Sequence, residues 1–278
     1  MMKIKSTAGL SLEDINDLIA DNVVYEITIE DKEHYPYSHK YDIFKFLAIK
    51  RNIVEFLKNC PCRDSKNPNS EKEIFAYIYT KLALTVEYDE LGPDIIHADQ
   101  TFKNLYAKEY LDDISGLEGA LLGKKAVCSG FAETLRNLLA ERGIEATYVS
   151  ASARPNANTP NTPKHAWNQV KLDGEWFNCD ITHDRSFVKE GLVAPKFLKS
   201  NAHFDNYLKY PIYAMGEIKP ATRSISSAQQ QLLIDKYHSQ ILKEIAPKTT
   251  DKDAKQPGFF KSILSKLHII KSSQPGDK

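Results

Sequence analysis

Ala126-Val127-Cys128-Ser129-Gly130-Phe131-Ala132, then His165-Ala166-Trp167-Asn168-Gln169-Val170-Lys171-Leu172, Asp173-Gly174 and Glu175-Trp176-Phe177-Asn178-Cys179-Asp180-Ile181-Thr182, are the segments whose patterning decides the fold. Phe131, Ala132, Leu135, Leu138 and Leu139 recur at helical spacing until Gly143, which predicts a helix beginning at or next to Cys128. Unpaired backbone N–H groups and the positive end of the dipole make a helix N-terminus favourable for an anion, so a thiolate is stabilised there relative to a thiol.

Asp173-Gly174 between two apolar-rich runs is a hairpin signal. A two-residue loop sets Leu172 opposite Glu175, Val170 opposite Phe177, Trp167 opposite Asp180 and His165 opposite Thr182. Side chains alternate along a strand, so His165 and Trp167 share a face and Asp180 becomes a diagonal neighbour of His165, about 6–8 Å away between backbones. Side chains can close that gap. A carboxylate there would hold the imidazole in the tautomer whose other nitrogen faces Cys128, which is the logic of nucleophile, base and orienter. Trp176 falls on the same face and is assigned to the core. Trp167 is either core or the wall of a substrate channel, and Cys179 points to the opposite face.

Taken in order, Val-Cys-Ser-Gly-Phe-Ala, His-Ala-Trp-Asn-Gln-Val-Lys-Leu-Asp-Gly-Glu-Trp-Phe and Asp-Ile-Thr resemble the core of the transglutaminase-like superfamily within the papain-like cysteine enzymes. The resemblance covers roughly residues 71 to 204 and is to bacterial-type members, in which a block similar to Lys196-Phe197-Leu198-Lys199-Ser200 with His203 often follows the core. It implies an α+β fold with a catalytic helix packed on an antiparallel β-sheet. It also implies that Cys128, His165 and Asp180 are the catalytic residues, with Trp167 and Ser129 as candidate substrate contacts. Ala126 stands where a glycine is frequent, Phe131 and Phe177 where tyrosines are frequent, and His183 where an aromatic is common.

The rest of the chain frames this core. A length of 278 residues allows one sizeable core with appendages. With 37 basic and 37 acidic residues there is no net field to attract nucleic acid. No apolar leader or membrane span is visible at the N-terminus, and four cysteines without a spaced framework argue for reduced thiols, so a cytoplasmic protein is expected. Cys60-Pro61-Cys62 lacks the second ligand pair of a zinc site, and neither metal nor cofactor is expected.

Helices are expected from a Ser11 cap, over Tyr41–Leu57, from a Ser70 cap to about Tyr88, over Gln100–Tyr110, around Leu117–Leu122 and over Ala228–Ile245. Strands are expected over Asn22–Ile29 and Ile144–Ser150. His97 and Asp99 read as isolated surface residues. The Pro- and Asn-rich run Arg154–Lys164 is a loop entering His165, either a substrate flap or a surface loop. The expected division is residues 1–69 as an N-terminal helical or mixed appendage, 70–215 as catalytic core, 216–246 as a C-terminal helix, 247–258 as a linker and 259–278 as a basic amphipathic tail. That tail, with Phe260, Ile263, Leu264, Leu267 and Ile270 on one face and Lys261 and Lys266 elsewhere, either docks on its own domain, the reading adopted, or lies on an anionic membrane.

The chemistry expected is acyl transfer through a thioester on Cys128, acting on a protein or peptide. The Cys128 backbone N–H supplies part of an oxyanion hole whose second donor the sequence does not name. Water as acceptor makes a peptidase or amidase, a glutamine side chain as donor makes a deamidase, and a lysine amine as acceptor makes a transglutaminase. Peptidase or amidase is the first choice. The competing class is a non-catalytic interaction module, whose signature, a lost cysteine or histidine, is absent.

Overall fold

The computed structural model describes residues 1–21, 26–31, 33, 38–97, 108–153, 164–204, 211–215 and 218–246. Its strands are β1 (Met2–Ile4), β2 (Glu26–Glu30), β3 (Ser38–Asp42), β4 (Glu87–Tyr88), β5 (Lys125–Ala126), β6 (Ala146–Ala153), β7 (His165–Leu172), β8 (Glu175–Cys179) and β9 (Pro211–Met215). Its helices are α1 (Leu12–Ala20), α2 (Ile43–Leu57), α3 (Ser70–Thr85), α4 (Gly92–His97), α5 (Lys108–Ser115), α6 (Cys128–Ala140), α7 (Ile181–Lys189) and α8 (Ser227–Ile245). The fold is α+β. Among the described residues, no helix is long and apolar enough to cross a membrane.

The central sheet is antiparallel throughout, in the order β8-β7-β6-β9. Asp173 and Gly174 both take positive φ, as a two-residue hairpin loop of this hand requires, and the register is the expected one, with Leu172 opposite Glu175 and Val170 opposite Phe177. Helix α6 lies across β6 and β7. Ala166 and Tyr148 pack beneath its first turns, while Val149, Ala151, Trp167 and Phe204 form a cluster of their own. Both faces of the sheet are therefore covered, which explains why β7 is buried from Ala166 to Val170 instead of alternating.

Ser11 and Asp14 form a capping box on α1, and Asp42 caps α2 through the N–H groups of Phe44 and Lys45. Helix α3 starts one residue earlier than expected: Asn69 is the cap and Ser70 is already helical. Gly119–Gly123 is a π-helical turn that leads into β5. The segments 22–25, 98–107 and 154–163 lie outside the described residues, so the early part of the Asn22–Ile29 strand, most of the Gln100–Tyr110 helix, Asp99 and the loop before His165 are not assigned.

Residues Met1–Leu242 form one compact unit and Lys243–Lys278 another. The N-terminal segment and the residues from 70 onward belong to the same unit. Ile15, Ile27, Phe46 and Ile53 from the N-terminal segment share one core with Phe75, Leu82, Leu135 and Leu138. In the second unit only residues 243–246 are described, and the linker and amphipathic tail lie outside the described residues.

Candidate active site

Cys128 is the first residue of α6, capped by Val127 with no side-chain bond. Phe131 N–H is the first to bond within the helix, to the Val127 carbonyl, so the N–H groups of Cys128, Ser129 and Gly130 project from the helix start. Two contacts fix that start: Val127 N–H donates to the Ile114 carbonyl at 3.0 Å, and Asp89 N–H donates to the Ala126 carbonyl at 3.0 Å. Gly130 is required here, because a Cβ would stand 2.4 Å from the Ile114 oxygen. Cys128 itself is half-buried against Ala132, Tyr148 and Ala166.

His165 opens β7 and so lies at the end of the sheet. Its Nε2 meets Asp180 Oδ2 at 2.7 Å, and the Cys128 side chain also acts on the imidazole. With Nε2 occupied by the carboxylate, Nδ1 is the nitrogen left for the thiol. Burial pulls the imidazole pKa down, but the Asp180 charge, the bond to Asp180 and the contact with Cys128 outweigh it and hold the pKa well above its ordinary value. The Trp167 ring stacks on the imidazole, with centroids 6.3 Å apart and planes at 20°, and its Nε1 donates to Asn178 Oδ1 at 3.2 Å.

Asp180 ends β8 by capping α7, a helix absent from the sequence-based expectations. One carboxylate oxygen accepts from His183 N–H at 3.1 Å while the other meets His165, so the cap also sets the rotamer that faces the histidine. The signal was available: Asp180 followed by Ile181 and Val188, apolar and buried one heptad apart. One turn on, Asp184 is fully buried, accepts from the Tyr79 hydroxyl at 2.9 Å and from Lys196 N–H at 2.8 Å, and has its pKa raised by burial. No local pattern marks Tyr79 or Asp184.

The structure brings Cys128, His165 and Asp180 together. Ser129 follows in the first turn, half-buried. Trp167 is 1% exposed, packed on Phe204 at 5.6 Å, and belongs to the interior instead of a channel wall. Trp176, expected in the core, is half-exposed beneath Lys171 Nζ at 5.9 Å, because β8 is an edge strand. Burial pushes the Cys60 thiol up to about 11, and burial together with the Asp180 and Asp184 charges drives Cys179 well above the ordinary range. Cys62 is exposed, and among the described residues no cluster of potential metal ligands includes it. On the strand next to the one that enters α6 stands Tyr88, a residue the sequence did not single out. Its strand pairs in parallel with β5, Tyr88 opposite Ala126.

The profile of the transglutaminase-like superfamily matches residues 62–181. Among solved structures, the chain is similar to a TGase at 21% identity, covering 49% of this chain and 32% of that one, with a TM-score of 0.36. It is also similar to a proposed cysteine protease from Cytophaga hutchinsonii at 16% identity, covering 59% of this chain and 46% of that one, with a TM-score of 0.29. The match spans less than half the length of either structure. No curated protein matches the sequence.

Proposed function

Because residues 62–181 form a domain of the transglutaminase-like superfamily, we propose that the chain is a cysteine-dependent acyl-transfer enzyme in which Cys128 is nucleophile, His165 base and Asp180 orienter. The observation that carries this is the 2.7 Å contact between His165 Nε2 and Asp180 Oδ2, on an imidazole whose pKa the Cys128 side chain also helps to raise. Nδ1 takes the thiol proton, and Asp180 offsets the charge of the resulting imidazolium. The sulfur attacks a carbonyl carbon, and the carbonyl oxygen becomes an oxyanion facing the Cys128 N–H at the helix start. Collapse breaks the bond to nitrogen, the leaving amine takes the proton from His165, and a thioester remains. The acceptor, deprotonated by His165, attacks the thioester; the tetrahedral adduct expels sulfur and the thiol is restored.

The first reading of the acceptor is water and of the substrate a peptide or amide. Deamidation of a glutamine side chain and transfer to a lysine amine use the same thioester and differ in donor or acceptor. The test is turnover of a peptide library and of glutamine donors, with and without an added amine. Wild type is expected to release amine or ammonia where Cys128→Ala does not. Identical behaviour of the two proteins on every substrate would instead point to a binding module.

A further inference from the structure

We infer that the Tyr88 hydroxyl is the second donor of the oxyanion hole, acting beside the Cys128 backbone N–H and touching the carbonyl oxygen of the reacting substrate. The inference rests on the acyl-transfer assignment above and completes it. Tyr88 sits opposite Ala126 in the β4–β5 ladder, two residues before Cys128, and the charges of Cys128 and Asp180 both act on its phenol. The ring is held between the two elements that carry the nucleophile and the orienter. On one side is the strand entering α6; on the other is α7, whose Arg185 guanidinium lies 5.1 Å above the ring.

Two ion pairs tie the strand of Tyr88 and the residues just after it to α7: Lys189 with Glu87 at 2.7 Å and Arg185 with Glu90 at 3.0 Å. A donor fixed in this way needs no reorganisation when charge develops on the oxygen, which is what makes an oxyanion contact effective. The hydroxyl is also available. The Tyr79 and Tyr110 hydroxyls spend their protons on Asp184 at 2.9 Å and Asp89 at 2.7 Å, whereas among the described residues no group hydrogen-bonds the Tyr88 hydroxyl. Tyr88 is only half-buried, so the hydroxyl need not be satisfied internally and can meet a substrate. Burial, then the negative charges of Cys128 and Glu90, push its pKa up to about 12, and it stays an O–H donor across the pH range in which a thiol enzyme works.

The experiment compares two reactions at one sulfur in the full-length protein. Acylation of Cys128 by p-nitrophenyl acetate passes through an oxyanion; alkylation by iodoacetamide does not. Tyr88→Phe removes the donor and keeps the ring under Arg185. It is expected to slow acylation about a hundred-fold while alkylation of Cys128 stays within about two-fold of wild type and the melting profile is unchanged. Unchanged acylation would overturn the inference. Acylation and alkylation falling together would overturn it as well, since Tyr88 would then act on the thiol and not on the oxyanion. If Cys128 reacts no faster than exposed Cys62 with either reagent in wild type, the triad assignment fails and takes the donor with it, an outcome distinct from the other two.

Discussion

His165 is placed where two opposing effects meet, and the balance decides both its chemistry and its pH dependence. Burial alone would leave a neutral imidazole, yet the charge of Asp180, the 2.7 Å bond and the neighbouring Cys128 hold its pKa well above the ordinary value. The folded chain therefore binds this proton more tightly than the unfolded chain, in which a histidine titrates near 6.5. Stability from the pair is fully present below about pH 6.5 and is lost as pH rises through the raised value. Urea unfolding of wild type and His165→Gln should show the largest gap near about pH 5.5 and a narrowing gap in alkaline solution. A gap independent of pH would mean the imidazole is not held charged in the fold. At the same scale, Asp180→Asn would keep one acceptor for the cap and lose the charge, so turnover is expected to fall by about 10⁴ while the helix survives, read as kcat beside a circular dichroism spectrum.

Helix α6 can deliver Cys128 only because its first turn approaches the Ile114 carbonyl without a side chain between them. A Cβ on Gly130 would lie 2.4 Å from that oxygen and 3.0 Å from Ala126 Cβ, and neither is the flexible end of a long side chain. Gly130→Ala should cost about 1–3 kcal/mol and displace the cysteine, so iodoacetamide labelling of Cys128 should change as well. Gly143, which ends the same helix at φ +67°, has open space around it. Gly143→Ala meets only the left-handed backbone penalty, about 1–2 kcal/mol, and should leave labelling of Cys128 untouched. Urea unfolding and labelling of the two variants side by side separate the cases; a Gly130→Ala protein that labels like wild type would refute the close approach.

Across the whole molecule the N-terminal segment is part of the machine that holds the site. Phe46 is fully buried and joins the core that contains Leu135 and Leu138 of the cysteine helix, and Thr7 N–H donates to Asn137 Oδ1 of that helix at 3.0 Å. Lys50 reaches across to Glu141 at 2.7 Å. Phe46→Ala is expected to cost about 3–5 kcal/mol, and a chain beginning at Ser70 should lack a cooperative thermal transition because one wall of its core is missing. Calorimetry settles this: a sharp endotherm from the shortened chain would show that the segment is dispensable.

Periodicity and turn chemistry in the sequence were enough to determine the helix that starts at Cys128, the Asp173-Gly174 hairpin with its register, and hence the approach of His165 to Asp180. These follow from spacing within one segment or between two segments joined by a two-residue loop, where alternation and pairing leave one arrangement. Other features needed the tertiary structure. Asp180 as a helix cap depends on the chain leaving the sheet at Cys179. Tyr88 is set opposite Ala126, two residues before Cys128, by a parallel pairing with β5 across a long stretch of intervening chain. The burial of Trp167 and the partial exposure of Trp176 depend on which strand is central and which is the edge. The shared core of the N-terminal segment and the cysteine helix depends on apolar faces that bear no local mark of their partner. Burial is non-directional, so an amphipathic pattern says that a face is covered and leaves the identity of the cover to the fold.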